Sequence, residues 1–184
     1  MPCPEFGVLP AHGKHRLATF AAMKASKARP VKVLLVCMGN ICRSPMAEGI
    51  LRHKALERLM SVETDSAGTI NNHVGESPDP RAQKCMNAHD MDISDLRARQ
   101  VRPSDFHTFD LLLAMDADNL NGLLRISPDV ELAAKAKLMM AYAPAHPLRE
   151  VPDPYYGGAE GFEEVFSMLD EACDNLLDGL RDGR

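Results

Sequence analysis

The sequence lacks several features that would place it in a specialised class of protein. Its five cysteines are odd in number, widely spread and without paired metal-ligand spacing, which argues against a disulfide scaffold or a structural zinc site. It contains no apolar stretch long enough to span a bilayer. A formal net charge of −5 gives no general attraction to nucleic acid or anionic membrane. Internal repeats and low-complexity segments are also absent from the sequence.

The length of the chain predicts one main domain preceded by a short extension. At 184 residues the chain can bury one substantial core. Residues 1–30 carry one acidic side chain against five lysines and arginines, and they precede the first predicted strand. We interpret residues 1–30 as a flexible or weakly helical extension, with synthesis from Met23 or a targeting peptide as alternatives. Residues 31–184 are predicted to form the domain.

Residues 37–45, which read Cys-Met-Gly-Asn-Ile-Cys-Arg-Ser-Pro, carry the strongest chemical signal. They follow an apolar run over 31–36 and precede a helical pattern. Five residues between Cys37 and Arg43 can wrap once and direct backbone N–H groups toward one point, which forms a nest for a tetrahedral oxyanion. We therefore predict anion binding by the loop and the serine that follows it, namely Met38, Gly39, Asn40, Ile41, Cys42 and Ser44.

Each residue type in this segment suits that task. Gly39 permits a positive φ that other residues resist, and Asn40 is one of the few other residue types that also tolerate it. Arg43 adds a planar charged fork that holds two oxygens. Ser44 is expected to be the helix N-cap and Pro45 the first helical residue, so that the positive end of the helix dipole faces the anion. In this field the first cysteine is expected to act as a thiolate near neutral pH, whereas the alternative is a buried packing thiol.

Strand-like and helical patterns alternate along the chain, which predicts a parallel sheet with helices on both faces. Strands are predicted over 31–36, 62–66, 109–115 and 137–140. A helix is predicted from Pro45 to about Met60, with an inner face formed by Ala47, Leu51, Ala55 and Leu59. The buried stripe of the last helix is predicted to consist of Phe162, Val165, Phe166, Leu169, Cys173, Leu176 and Leu180. The loop after the first strand lies where open α/β sheets bind ligands.

From about Val31 to its C-terminus, the chain resembles the low-molecular-weight protein tyrosine phosphatases, in a form that looks bacterial. Beyond residues 37–45, the resemblance rests on the order and spacing of short motifs: Asp65-Ser66-Ala67-Gly68-Thr69, Asp79-Pro80-Arg81-Ala82, Ala98-Arg99-Gln100, Asp105-Phe106, Phe109-Asp110, Met115-Asp116 with Asn119, and Asp153-Pro154-Tyr155-Tyr156. The resemblance implies a flavodoxin-like three-layer α/β sandwich with a small four-stranded parallel sheet. It also implies hydrolysis of phosphotyrosine monoesters without a metal or other cofactor.

The resemblance assigns roles to three residues. Cys37 would be the nucleophile that forms a cysteinyl-phosphate, Arg43 the phosphate clamp, and Asp153 the general acid and then base. Pro152 and Pro154 bracket Asp153 and would stiffen its loop, although an Asx-turn aspartate between prolines is the alternative.

Supporting roles also follow from the resemblance, with ordinary cap or turn residues as the alternative. Ser66 would fix Asn40, Ser44 would donate toward the thiolate, and Asp116 would lie near the catalytic arginine. Eukaryotic members use a histidine before Ala-Arg-Gln to support the loop asparagine. Residues 94–97 here read Ser-Asp-Leu-Arg, so the support is expected to differ.

Tyr155 and Tyr156 are the predicted wall against which a flat substrate ring stacks, with burial in the core as the alternative. Asn72 stands where bacterial relatives often carry an aromatic residue, which leaves substrate preference open. Cys42 is predicted to capture an oxidised Cys37 as a disulfide, with a packing thiol as the alternative.

Three other functions are alternatives to phosphotyrosine hydrolysis. Protein arginine phosphatases resemble the chain closely but tend to carry threonine at the position of Ile41, whose methyl groups suit a phenyl ring. Thioredoxin-coupled arsenate reductases need two further cysteines on a mobile segment, where this chain has only Cys85, with Cys173 in the last helix. A phosphate-binding module would need neither Cys37 nor Asp153. A phosphotyrosine protein, with a bacterial tyrosine kinase as one candidate, is the expected partner, inorganic phosphate the product and the cytoplasm the expected compartment.

Overall fold

The computed structural model describes residues 29–183, and its centre is one parallel sheet. The strands are β1 (Val31–Cys37), β2 (Val62–Gly68), β3 (Leu111–Ala114) and β4 (Ala136–Leu138), in the spatial order β2-β1-β3-β4. The helices are α1 (Arg43–Glu57), α2 (Pro80–Ala88), α3 (Asp105–Thr108), α4 (Ala117–Ile126), α5 (Val130–Ala133) and α6 (Ala159–Arg181). A 3-10 turn covers Met139–Tyr142.

Both faces of the sheet are covered because side chains alternate along its strands. Val33 and Leu35 of β1 point into a core shared with α1, α2 and α6, whereas Leu34 and Val36 point into a second core beneath α3, α4 and α5. This arrangement, with four parallel strands, confirms the predicted flavodoxin-like three-layer sandwich. The predicted stripe of the last helix is also confirmed, with buried residues from Phe162 to Leu176 and a partly buried one at Leu180.

Several predicted boundaries were wrong. The first helix ends at Glu57, and Leu59 is 91% exposed with a φ of 53°, so it does not extend the inner face formed by Ala47, Leu51 and Ala55. β2 continues to Gly68 because its last residues pair with the end of β1. The third strand is shorter than predicted, and the fourth starts one residue earlier and turns into the 3-10 segment after Leu138.

The first described residues lead directly into β1. β1 begins at Val31, and just before it Arg29 forms a bidentate ion pair with Asp110. Residues 1–28 of the predicted flexible or weakly helical extension lie outside the described residues, and the boundary at residue 31 stays a prediction. Between residues 29 and 183, no helix has both the length and the apolar character needed to cross a membrane.

Candidate active site

A loop over residues 38–42 joins the carboxyl end of β1 to α1. Cys37 is the last residue of β1 and is buried. Asn40 has a φ of 58°, which its residue type tolerates. The positive-φ glycines of the described chain are Gly75 and Gly183, so Gly39 does not use the conformation that it permits. The absence of a side chain at Gly39 matters for space instead, because a Cβ there would lie 3.0 Å from Cδ2 of His73.

Ser44 does not cap the helix as predicted. α1 already begins at Arg43, and Cys42 is the N-cap residue without a side-chain cap. Ser44 Oγ instead lies 3.0 Å from Cys37 Sγ, because the wound loop brings the first turn of the helix beneath the cysteine. Pro45 lies within this first turn, where its missing N–H leaves no helical hydrogen bond unmade. The amino-terminal end of α1, with its partial positive charge, still faces the loop.

Asn40 holds the loop together through its backbone N–H and both polar atoms of its side-chain amide. Its backbone N–H donates to Cys37 Sγ at 3.2 Å. Its Nδ2 donates to Ser44 Oγ and to Ser66 Oγ, each at 2.9 Å, while its Oδ1 accepts from the backbone N–H of Arg99 at 2.9 Å. The acceptor contact at Oδ1 fixes which way the amide faces. Because Ser44 Oγ accepts from Asn40, its own hydrogen can point to Cys37 Sγ at 3.0 Å, which is closer than the other acceptor in reach, the carbonyl oxygen of Ala67 at 3.5 Å.

Glu48 extends this network and was missed by the sequence analysis. Ser66 Oγ donates to Glu48 Oε2 at 2.7 Å, and the carboxyl group is almost completely buried. Burial raises the pKa of Glu48, while the hydrogen bond from Ser66 opposes the shift. Glu48 lies one helical turn after Ser44, and this spacing on the buried start of α1 is the signal that could have found it. Where eukaryotic members are expected to support the loop asparagine with a histidine, this chain holds Asn40 through Ser66, which in turn donates to Glu48.

Arg43 is held from two sides by acceptors. Its Nη1 donates to Asp116 Oδ2 at 2.6 Å and to the carbonyl oxygen of Val151 at 3.1 Å. Its Nη2 donates to Asp153 Oδ2 at 2.8 Å. Asp116 also caps α4 through a hydrogen bond from the backbone N–H of Asn119, so its carboxylate position is fixed by the fold. The side chain of Arg43 is only 3% exposed, so its guanidinium is directed by these contacts.

Asp153 is the partly exposed acid of the site, with 41% of its side chain accessible. Its Oδ1 accepts from the backbone N–H of Tyr155 at 3.1 Å, so Asp153 forms the Asx turn considered as an alternative and contacts Arg43 as well. Arg81 on α2 holds the same loop by donating to the carbonyl oxygen of Tyr155 at 2.9 Å. The turn geometry and the contact with Arg43 are therefore compatible.

The loop and its neighbours enclose an open cavity of about 290 Å³. Tyr155 and Tyr156 stand at its mouth in an edge-to-face pair, with ring centroids 5.1 Å apart, and Tyr156 is almost fully exposed. Neither tyrosine belongs to the core. The cavity is also lined by Ile70, Asn72 and His73, of which Asn72 had been connected with substrate preference. The remaining lining residues are Cys37, Met38, Gly39, Ile41, Cys42, Arg43 and Asp153.

Cys42 lies in the wall of this cavity but is itself buried. Burial and, to a smaller extent, the nearby negative charge of Asp79 raise the pKa of Cys42 to about 12. The thiol is therefore protonated at neutral pH. Its proposed role in capturing an oxidised Cys37 stays a prediction.

Comparisons with known proteins agree on one family. The family model described as low molecular weight phosphotyrosine protein phosphatase matches residues 32–184. A low molecular weight protein-tyrosine-phosphatase of Streptomyces coelicolor is 43% identical over 155 residues, which cover 82% of this chain and 94% of the relative.

The chain is also similar to solved structures over nearly their whole length. The crystal structure of YfkJ from Bacillus subtilis has a TM-score of 0.81 and 34% identity, with coverage of 86% of this chain and 99% of that one. Wzb of Vibrio vulnificus in complex with benzylphosphonate has a TM-score of 0.72 and 26% identity, with coverage of 80% and 97%.

Proposed function

The chain belongs to the low molecular weight phosphotyrosine protein phosphatase family, and on that premise we propose that Cys37, Arg43 and Asp153 carry out phosphotyrosine hydrolysis in this protein. The observation that carries the assignment is the meeting of these three side chains in one cavity, with Arg43 in direct contact with Asp153. The three residues come from β1, the start of α1 and a loop more than a hundred positions later.

In the first step, Cys37 Sγ attacks the phosphorus atom of the bound monoester. The phosphorus–oxygen bond to the leaving group breaks as the sulfur–phosphorus bond forms, and Asp153 gives its proton to the leaving phenolic oxygen. Arg43 Nη2 and the N–H groups of the loop hold the phosphoryl oxygens, and a phosphoryl oxygen replaces Asp153 as the partner of Nη2. Asp153 is then free to face the leaving group.

In the second step, a water molecule attacks the cysteinyl-phosphate. Asp153, now ionised, accepts a proton from that water, and the sulfur leaves as the thiolate while inorganic phosphate forms. The hydrogen bonds from Asn40 N and from the hydroxyl of Ser44 stabilise the negative sulfur. The same residues thus serve both steps.

The walls of the cavity favour an aromatic substrate. Tyr155 and Tyr156 offer ring surfaces at the mouth, and Ile41 offers methyl groups inside it. The relative from Vibrio vulnificus binds benzylphosphonate, which has a ring and a phosphonate group. We propose phosphotyrosine proteins as partners, a bacterial tyrosine kinase among them, and a reducing compartment such as the cytoplasm because the nucleophile is a thiol.

Hydrolysis of para-nitrophenyl phosphate, measured with a metal chelator between about pH 5 and pH 7, tests the residue assignment. We expect Cys37→Ser to abolish turnover and Asp153→Asn to slow it by the roughly 10²- to 10⁴-fold that general acid–base catalysis supplies. Glu150→Gln, a change of another exposed carboxylate close to Asp153 in sequence, is the matched control and should retain activity.

Peptide substrates test the specificity. Phosphotyrosine peptides should be hydrolysed much faster than phosphoarginine peptides of the same sequence. Activity that survives Cys37→Ser would overturn the proposed nucleophile, and preference for phosphoarginine would identify the chain as an arginine phosphatase with the same chemistry.

A further inference from the structure

A second group of reactive side chains lies away from the catalytic cavity, between α2 and α6. Cys85 lies on α2, His89 is the residue that ends this helix, and Glu163 lies on the first turns of α6. Their donor atoms all lie within 4.8 Å of one another. The catalytic steps derived for Cys37 and Asp153 use none of the three residues.

The backbone explains why these donors converge. Cys85 and His89 are four residues apart, so both project from the same face of α2. Glu163 reaches this face from α6, and its Oε2 lies 2.9 Å from Nε2 of His89. The ring of His89 stacks on Phe166 with centroids 3.6 Å apart, which fixes the direction of the imidazole. Two of the donors are thus oriented by neighbouring structure.

We propose that Cys85, His89 and Glu163 form a binding site for a zinc ion. A thiolate, an imidazole nitrogen and a carboxylate oxygen are the three donor types that zinc takes in proteins, and three protein ligands leave the fourth tetrahedral position to water. A tetrahedral site separates its donors by about 3.3–3.8 Å, given zinc bonds of about 2.0–2.3 Å. Separations of up to 4.8 Å therefore need to shorten by about 1.5 Å at most, and the exposed side chain of Glu163 can move by this amount.

Charge at the site also suits a cation once the thiol is ionised. Burial, together with the Glu163 carboxylate, raises the pKa of Cys85 to about 12 in the absence of metal. Zinc replaces the thiol proton, which is released to solvent, because a coordinating thiol is deprotonated. The thiolate and the Glu163 carboxylate then balance the two positive charges of the ion.

Two cationic side chains near the site do not prevent a metal ion from binding there. A cavity of about 200 Å³ beside Cys85 and Glu163 is also lined by Arg81 and Lys84. Arg81 is already paired with Asp79 at 2.8 Å. Lys84 carries a long flexible chain whose ammonium can remain in water.

Cobalt titration of the reduced full-length chain tests the site, because a thiolate ligand gives Co²⁺ a charge-transfer absorption in the near ultraviolet. We expect the band in the wild type, its loss in Cys85→Ser, and its displacement by Zn²⁺. The band should persist in Cys37→Ser, which separates this site from the catalytic thiol. Zn²⁺ should also raise the thermal unfolding midpoint of both the wild type and Cys37→Ser.

Two exposed ligands keep the test independent of core packing around Cys85. His89→Gln and Glu163→Gln should each weaken Zn²⁺ binding by at least the roughly 10- to 100-fold that loss of an outer-shell partner costs. Glu164→Gln, an exposed neighbour on α6, and His53→Gln, from a histidine–glutamate pair without a thiol, are matched controls that should bind as the wild type does. A band that depends on Cys37 rather than Cys85, the absence of a band in the wild type, or equal binding by His89→Gln, Glu163→Gln and the controls would each overturn the proposal.

Discussion

Glu48 influences Cys37 without touching it, through a chain of hydrogen bonds that runs by way of Ser66 and Asn40. Glu48→Ala should lower kcat by roughly tenfold to 10²-fold, the upper figure being the cost of a 1 Å misplacement. The reason is that Ser66, which holds the side chain of Asn40, loses its own hydrogen-bond partner. Glu48→Gln keeps a hydrogen-bonding side chain and should recover most of the loss. Steady-state kinetics measure both variants, and equal effects of Ala and Gln would argue against a positioning role.

Glu48 also predicts a pH dependence of stability. The folded pKa of Glu48 is raised above 4.5, its ordinary value, so the folded state binds more protons than the unfolded state as pH rises past 4.5. The free energy of unfolding therefore falls as pH increases through that raised pKa. Urea unfolding at about pH 5 and pH 8 measures this change, and the free energy of unfolding should differ less between the two pH values for Glu48→Gln than for the wild type. If the free energy of unfolding changes equally between these two pH values in the wild type and in Glu48→Gln, burial of the Glu48 carboxyl does not cause the pH dependence of stability.

At the residue scale, local spacing predicted the side chains that share one loop, and the family resemblance added Ser66, Asp116 and Asp153 from distant parts of the chain. Neither source predicted Glu48 or His73. Cys37, Asn40 and Arg43 share one short loop, so their convergence follows from local spacing. His73 and Glu48 contact the site only after β2 and α1 have packed against β1. Gly39 shows the same limit, because its role depends on the proximity of His73 and not on its own φ.

At the level of elements, the start of α2 connects the anion-binding loop to the loop that carries Asp153. The backbone N–H of Asp79 donates to the carbonyl oxygen of Ile41 at 2.7 Å, and the carboxylate of Asp79 pairs with Arg81. Arg81 in turn donates to Tyr155 O, and its guanidinium lies 5.5 Å from the centre of the Tyr155 ring and 5.0 Å from that of Phe162. The planar fork of arginine allows all these contacts at once.

Arg81→Lys should therefore displace the Asp153 loop while leaving the nucleophile in place. We expect a larger fall in kcat for phenyl phosphate than for para-nitrophenyl phosphate, because a poorer leaving group depends more on protonation by Asp153. Arg125→Lys, an exposed change on α4, is the control and should affect neither substrate. Equal losses for the two substrates would indicate that Arg81 does not act through the general acid.

The elements also show which parts of the fold the sequence could predict. Long periodic segments such as α6 were predicted correctly because their buried stripe repeats over several turns. Boundaries were less predictable, since the end of α1 before Leu59 and the end of β4 after Leu138 depend on packing that local patterns do not encode. The boundary of β2 likewise follows from its pairing with β1 rather than from its own sequence.

Over the whole molecule, α1 and α6 pack together and are joined at one end by an ionic cluster. Lys54 pairs with Asp170 and Asp174, each at 2.8 Å, and Arg58 pairs with Asp174 and Asp178. Asp174 pairs with both cations, and about three fifths of its side chain is covered. Screening by water therefore reduces, but does not remove, the stabilisation that its ion pairs give to the fold.

Asp174→Asn should lower the free energy of unfolding by about 1 kcal/mol at low ionic strength, since it weakens two ion pairs. The loss should shrink at high salt, whereas activity should change little because the cluster lies away from the catalytic cavity. Denaturant unfolding at two salt concentrations measures the effect. Glu164→Gln on the same helix should stay within about 0.5 kcal/mol of the wild type. If both variants are equally stable at low salt, the cluster does not link the two helices energetically.

The distant partners of Arg43 have a consequence for synthesis on the ribosome. Cys37 and Arg43 emerge first, but Arg43 finds its acceptors only at Asp116, Val151 and Asp153, and α6, which covers α1, emerges after all of these. Domains tend to fold as units once their sequence is available. A nascent chain therefore carries the reactive cysteine long before it carries a working enzyme, and phosphatase activity begins only after α6 has been made and has packed on α1.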